Sequence, residues 1–207
     1  HRKEGCIVMS HVRQREAHKT QGRILSNKMS VDEYLAGEQD GEFRHEYIDG
    51  MVYAMVGASR RHALIVTSLT LLLGPKARQQ GCQLFTNDMK VRIQQAGEES
   101  FYYPDLILGC DPNDRETYFS TRPCLIIEVL SESTERIDRR EKLYAYTGGL
   151  PSLHEYLLLA QDCRHADLYR RRSEGWQHEK LVEGSIHLDC LDMDVSIDDI
   201  YQDAERA

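Results

Sequence analysis

Apolar positions along the chain change their spacing several times, and each change marks a class of element. Ordered structure is expected to begin at "MSVDEYLAG", where Ser30 and Glu33 have the spacing of a capping box and Gly37 can end a short helix. In "FRHEYIDGMVYAM" two alternating runs flank Asp49-Gly50, the sign of a two-residue hairpin turn. "SRRHALIVTSLTLLLGPKARQQG" has helical spacing, most firmly up to Gly74-Pro75. After Gly81 the period falls to two. "CQLFTN", "MKVRIQ", "YYPDLILGC" and "CLIIEVL" read as strands, the last two as buried ones. "STERIDRREKLYAYTGG" predicts a helix entered through Ser133/Thr134 and closed by Gly148-Gly149. "HEYLLLAQ", "HADLYRR", "GWQHEKLVE" and "SIHLD" then predict an antiparallel meander, and "VSIDDIYQ" a short terminal helix.

The order helix, hairpin, helix, strands, helix, strands predicts an α/β chain of α+β type, a central mixed sheet flanked by helices. Residues 101–110 and 124–130 are expected as adjacent central strands, with the 134–147 helix packed against them. Residues 1–28 lack apolar periodicity and are expected to be a disordered basic extension, with residues 29–207 forming one domain.

Composition changes this picture little. The chain has 207 residues, 41% hydrophobic and 29% charged, ordinary for a globular protein. No apolar run is long enough to span a membrane, and the N-terminal residues carry no signal-peptide pattern. Cysteines stand at 6, 82, 110, 124, 163 and 190, with no CxxC pair. They are expected to be buried free thiols in a reducing compartment, which predicts a cytoplasmic protein. The net charge of −8 is unevenly spread. Residues 183–207 hold eight Asp/Glu and only Arg206, whereas residues 1–28 hold seven Lys/Arg against Glu4 and Glu16. Charge therefore does not exclude a nucleic-acid partner.

Candidate chemistry sits on the two most apolar strands. Asp105 follows Pro104, and Glu128 lies inside "LIIEVL". A buried carboxylate without a partner is costly, so Glu128 needs a structural partner or a task. If the strands are neighbours, two acids meet at one point of the sheet. They repel unless a cation lies between them, and a hard divalent ion such as Mg2+ or Mn2+ takes oxygen ligands. The backbone carbonyl of Val129 could join them. Asp138 and Lys142 lie four apart on the following helix. A lysine aimed at two acids and a metal is equipment for phosphodiester hydrolysis. The alternatives are a bridge from Glu128 to an arginine such as Arg92, a surface Lys142, and an Asp138 that only pairs with neighbouring cations. His62, at a helix start, could accept a proton or touch phosphate, or be a polar residue of that position. "YRRR" at 169–172 could touch a DNA backbone or be a solvated strand end. Tyr103, Tyr144 and Tyr146 are expected as core or rim aromatics.

Pro104-Asp105 followed by an acid within an apolar strand resembles the PD-(D/E)xK restriction-endonuclease-like superfamily. Leu130 stands where that motif expects lysine. The blocks "HEYIDGMVY", "YYPDLIL", "LIIEVLSEST", "DRREKLYAY" and "GGLPSLHEYLLL" together resemble the Uma-two family within that superfamily. The resemblance implies a restriction-endonuclease-like core and metal-dependent cleavage of DNA. It places the missing lysine on the following helix, at Lys142, and an acid near the site at Glu46, as an outer ligand or water holder. A plain cross-strand pair is the other reading of Glu46. The functions to separate are a magnesium-dependent endonuclease, an inactive nuclease fold that binds DNA or protein, and a hydrolase of small phosphoesters. A homodimer is expected, with the strands after residue 153 and the terminal helix covering an edge of a second copy.

Overall fold

The computed structural model describes residues 28–55, 57–131 and 138–206. Helix α1 (Val31–Asp40) starts in the expected capping box, with Ser30 and Glu33 each accepting from the other's backbone amide. It runs through Gly37 and stops at Gly41, where a Cβ would lie 2.8 Å from the Gly37 carbonyl oxygen. Strands β1 (His45–Ile48) and β2 (Met51–Ala54) form the hairpin over Asp49-Gly50, both left-handed at φ 44° and 89°. Helix α2 (Arg60–Gln79) is capped by Ser59 and continues through Pro75. Proline costs about 3 kcal/mol inside a helix. Leu73 and Ala77, on either side of it, are buried, and that packing keeps the last turns helical.

The central sheet divides in two. β4 (Lys90–Gln95), β5 (Glu98–Tyr102) and β7 (Phe119–Ser120) join the hairpin in the order β2-β1-β5-β4-β7. β3 (Gln83–Thr86), β6 (Leu106–Gly109), β8 (Leu125–Leu130), β9 (Glu155–Ala160), β10 (Ala166–Arg172) and β11 (Gly175–Leu181) run in the order β11-β10-β9-β8-β6-β3. Both sheets are mixed, because β4 runs parallel to β7 and β8 parallel to β9. The α+β class with helix-flanked mixed sheets therefore stands. The single strand expected over 101–110 does not. Pro104 has no amide hydrogen to give a ladder. The chain leaves the first sheet after Tyr102 and enters the second at Leu106, with Asp105 in the gap. The β6 and β8 segments are adjacent and antiparallel, with Leu106 opposite Ile127.

Residues 132–137, which include the expected entry at Ser133/Thr134 and the start of the 134–147 helix, lie outside the described residues; a π-helical turn (Asp138–Lys142) leads into α3 (Leu143–Gly149). Tyr146 and Leu150 pack with Ile93, Ile126 and Leu158, so this segment bridges both sheets. A Cβ on Gly149 would collide with the Ile93 methyl Cγ2, so this glycine permits close approach to β4 as well as ending the helix. The meander holds for β9, β10 and β11. β12 (Ser185–Leu188) instead pairs with β13 (Met193–Ser196), a short strand the apolar pattern does not reveal. Helix α4 (Ile197–Tyr201) buries Ile197, Ile200 and Tyr201 in one core with Leu69 and Leu73 of α2, so that apolar face is used within the chain.

The free-thiol expectation is overturned. Cys82 is bonded to Cys110, Cys124 to Cys190, and Cys163 is also in a disulfide. Strand pairing brings together cysteines that are far apart in sequence. Gln83 lies opposite Gly109, so the next residues outward, Cys82 and Cys110, face each other with Cα atoms 4.3 Å apart. The cytoplasmic expectation rested on free thiols and loses that ground. Among the described residues no helix is long and apolar enough to cross a membrane.

Candidate active site

The site lies where the chain changes sheets. Asp105 sits one residue before β6, beside the end of the ladder that pairs Leu106 with Ile127. Its Oδ2 accepts the Val129 amide at 2.7 Å and faces His62 Nε2 at 3.1 Å. His62 reaches it from the first turn of α2, where its own amide donates to the capping Ser59 hydroxyl. The Asp105 backbone carbonyl accepts from Asn87. These contacts fix the carboxylate from three elements. Among the described residues Oδ1 accepts no hydrogen bond, and the side chain is 15% exposed.

Glu128 points to the other face of β8. Its neighbours on that face, Ile126 and Leu130, belong to the core shared with α3, whereas Ile127 and Val129 face α2. Lys142 Nζ stands 3.2 Å from Glu128 Oε1 and 3.1 Å from Glu46 Oε1. Tyr146 donates its hydroxyl to the same Glu128 oxygen at 3.1 Å. Glu46 comes from β1 in the other sheet and also faces the Tyr103 amide at 3.4 Å. Lys142 is buried, not the solvated helix lysine of the alternative reading, and its ammonium lies 5.6 Å from the centre of the Tyr102 ring. It is supplied by the π-helical turn, a deviation often found at functional positions. The Tyr146 hydroxyl is held well above its ordinary pKa, first by burial and then by the charge of Glu128, so it remains a proton donor.

Thus Asp105, Glu128, Lys142, Glu46, Val129 and His62 are brought to one region, in two linked groups on either side of β8. Among the described residues, the carboxylates of Asp105, Glu128 and Glu46 stand near the Lys142 ammonium and the His62 ring. The donors are all oxygen, which suits magnesium or manganese. Val129 gives its amide to Asp105; a strand residue points its N–H and C=O to the same side, so its carbonyl shares that edge. Among the described residues no group of three or more His, Cys, Asp or Glu side chains forms a ready metal cage. Each of the two linked groups offers carboxylate oxygens, the donor type that magnesium takes, and that ion commonly uses only one or two carboxylates and keeps several waters.

The other candidates separate. Asp138 opens the π-helical turn, and its side chain lies outside the described residues. Arg92 pairs with Glu99, not Glu128. The three arginines of "YRRR" are engaged within the chain: Arg170 with Glu155, Arg171 with the Leu153 and Leu150 carbonyls, and Arg172, exposed at the strand end, with Asp189. Tyr146 is the residue that sequence reasoning passed over. Its position four after Lys142 is the signal that could have found it, since both then reach one carboxylate.

A family profile described as "Putative restriction endonuclease" (Uma2) matches residues 31–197. An uncharacterized protein of Synechocystis is 35% identical over 178 residues, covering 84% of this chain and 92% of that protein. A second uncharacterized Synechocystis protein is 31% identical over 146 residues, covering 69% of this chain and 81% of its own length. A crystal structure from Anabaena variabilis, described as "a putative nuclease belonging to DUF820", superposes with a TM-score of 0.64 over 85% of this chain and 99% of that one, at 18% identity. That likeness is one of fold. With the family profile spanning most of the residues and all the elements that build the site, the chain belongs to the Uma2 family of restriction-endonuclease-like proteins.

Proposed function

We propose that the protein is a metal-dependent endonuclease that hydrolyses DNA phosphodiester bonds at the pocket of Asp105, Glu128 and Lys142. The observation that carries this reading is that one buried ammonium, Lys142, joins Glu128 of one sheet to Glu46 of the other, beside the Asp105 carboxylate, at the point where the two sheets part. Burying charged groups is costly, which supports a use for them here. Asp105, Glu128 and the Val129 carbonyl would hold the ion, which when bound polarises the phosphate and lowers the pKa of a water. Lys142 has a long flexible stem, so its ammonium can turn from Glu128 toward charge developing on the phosphate. Glu46 keeps that ammonium in the pocket. His62 and the Val129 amide hold the Asp105 carboxylate in one orientation.

The test is cleavage of plasmid and single-stranded DNA with and without magnesium or manganese, beside Asp105→Ala. Cleavage by the wild type that requires the metal and is absent in the variant supports the reading; metal-independent or variant-insensitive cleavage rejects it. One observation favours a second reading. The Lys142 ammonium already has two carboxylate partners at 3.1 and 3.2 Å, as in a closed structural cluster. In that case the chain is a binding module for DNA or protein, and it neither cuts nor takes up the metal.

A further inference from the structure

We propose that Tyr146 is a positioning residue for Glu128: its hydroxyl keeps the carboxylate in place while the Lys142 ammonium leaves it for the substrate. This rests on the reading of Glu128 as a metal ligand given above. Lys142 and Tyr146 both donate to Glu128 Oε1, at 3.2 and 3.1 Å. The two donors differ in freedom. Lys142 ends a four-carbon stem and is already divided between Glu128 and Glu46. Tyr146 is fully buried. Its ring is wedged between those of Tyr102 and Tyr156, edge-to-face on both sides, with centroids 5.7 and 5.1 Å away and interplanar angles of 83° and 82°.

A movable donor and a fixed donor on one oxygen have separate uses. When the ammonium turns away, a buried carboxylate oxygen loses a hydrogen bond, and the side chain gains freedom to rotate away. The fixed hydroxyl holds it in place. Hydrogen-bond partners behind metal-ligating carboxylates commonly tune affinity in this way. Tyr146 is thus expected to act through Glu128 and not on the substrate.

The test is a double-mutant cycle of Tyr146→Phe and Glu128→Gln, with Tyr201→Phe as the control for losing a remote buried hydroxyl. The first readout is Mn2+ binding by calorimetry, which needs no turnover. Tyr146→Phe keeps the ring and should weaken Mn2+ binding by about 10-fold. In the Glu128→Gln background it should add less than about twofold. Tyr201→Phe should bind as the wild type does. In the cleavage assay Tyr146→Phe should lower kcat and leave KM for DNA unchanged. Wild-type affinity in Tyr146→Phe, an undiminished effect in the Glu128→Gln background, or an equal loss in Tyr201→Phe overturns the proposal. If the wild type binds no Mn2+, the metal reading fails by itself. The same cycle read by thermal unfolding of the metal-free protein then decides the positioning role: sub-additive losses support it and additive ones overturn it.

Discussion

Glu128 and Glu155 are buried acids on neighbouring strands of the six-stranded sheet. Glu128 in β8 is opposite Leu158 of β9, and Glu155 in β9 is opposite Leu125 of β8. Both are buried, at 4% and 0% exposure, so burial does not separate them. Their partners do. Glu155 accepts the backbone amides of Asp189 and Cys190, each at 3.0 Å, and the Arg170 guanidinium at 3.1 Å. It fastens the β12–β13 loop to the sheet beside the Cys124–Cys190 disulfide. Backbone amides and a planar guanidinium leave it little room to move. Among the described residues, Glu128 is held by a phenol and by a lysine shared with Glu46. One carboxylate is closed by rigid donors, and the other faces a cation that can leave. The first arrangement serves the fold, and the second leaves room for chemistry.

Several measurements can break or sharpen this contrast. The largest effect is expected for Asp105→Ala, which should remove both metal binding and detectable cleavage, seen by calorimetry and plasmid nicking. Glu155→Ala comes next. It takes from Arg170 its buried carboxylate partner, leaving Asp189 and the His187 carbonyl, and removes the acceptor of two part-buried amides, so urea unfolding should show a loss of about 3 kcal/mol, the lower end for breaking a buried pair. Mn2+ affinity of the folded fraction should not change. Lys142→Ala should lower cleavage by about 100-fold, the scale for one stabilising charge in a dry site. Alanine is a good helix former, and from sequence the substitution is expected to keep the fold intact. Burial corrects that expectation. Removing the ammonium leaves Glu128 and Glu46 facing each other, so the metal-free protein should lose stability and regain part of it with magnesium. His62→Ala should have the smallest effect, about 10-fold in metal affinity, because the Val129 amide still holds Asp105.

The same contrast shows what was legible in the sequence. "LIIEVL" and "HEYLLL" carry the same sign, an acid beside an apolar run, and only the first is read as functional, because Pro104-Asp105 precedes it at a recognisable distance. Glu155 gives no such cue, since its partners come from Arg170 and a loop 34 and 35 residues away. Elements with strong local codes were readable: the Ser30 cap, the Asp49-Gly50 turn, and the apolar runs of β6 and β8. The division of one expected strand at Pro104 was not. Residues on both sides of it are apolar enough to be buried in either sheet, and pairing partners decide between them. The cysteine pairs were hidden for a related reason, since separations of 28 and 66 residues are closed only by the completed sheet. Lys142 was identified as the site lysine through the family's pattern, but its burial depends on α3 lying between the sheets.

The most direct test sets the two acids against each other in one experiment. Glu128→Gln and Glu155→Gln are purified together and compared for magnesium-dependent plasmid cleavage and for thermal unfolding. Glu128→Gln should lose cleavage and unfold near the wild-type temperature, since Lys142 keeps Glu46. Glu155→Gln should unfold at a clearly lower temperature and still cleave when assayed below it. A Glu128→Gln protein that cleaves as well as the wild type, or a folded Glu155→Gln protein that does not cleave, would contradict the assignment of Glu128 to chemistry and Glu155 to the fold.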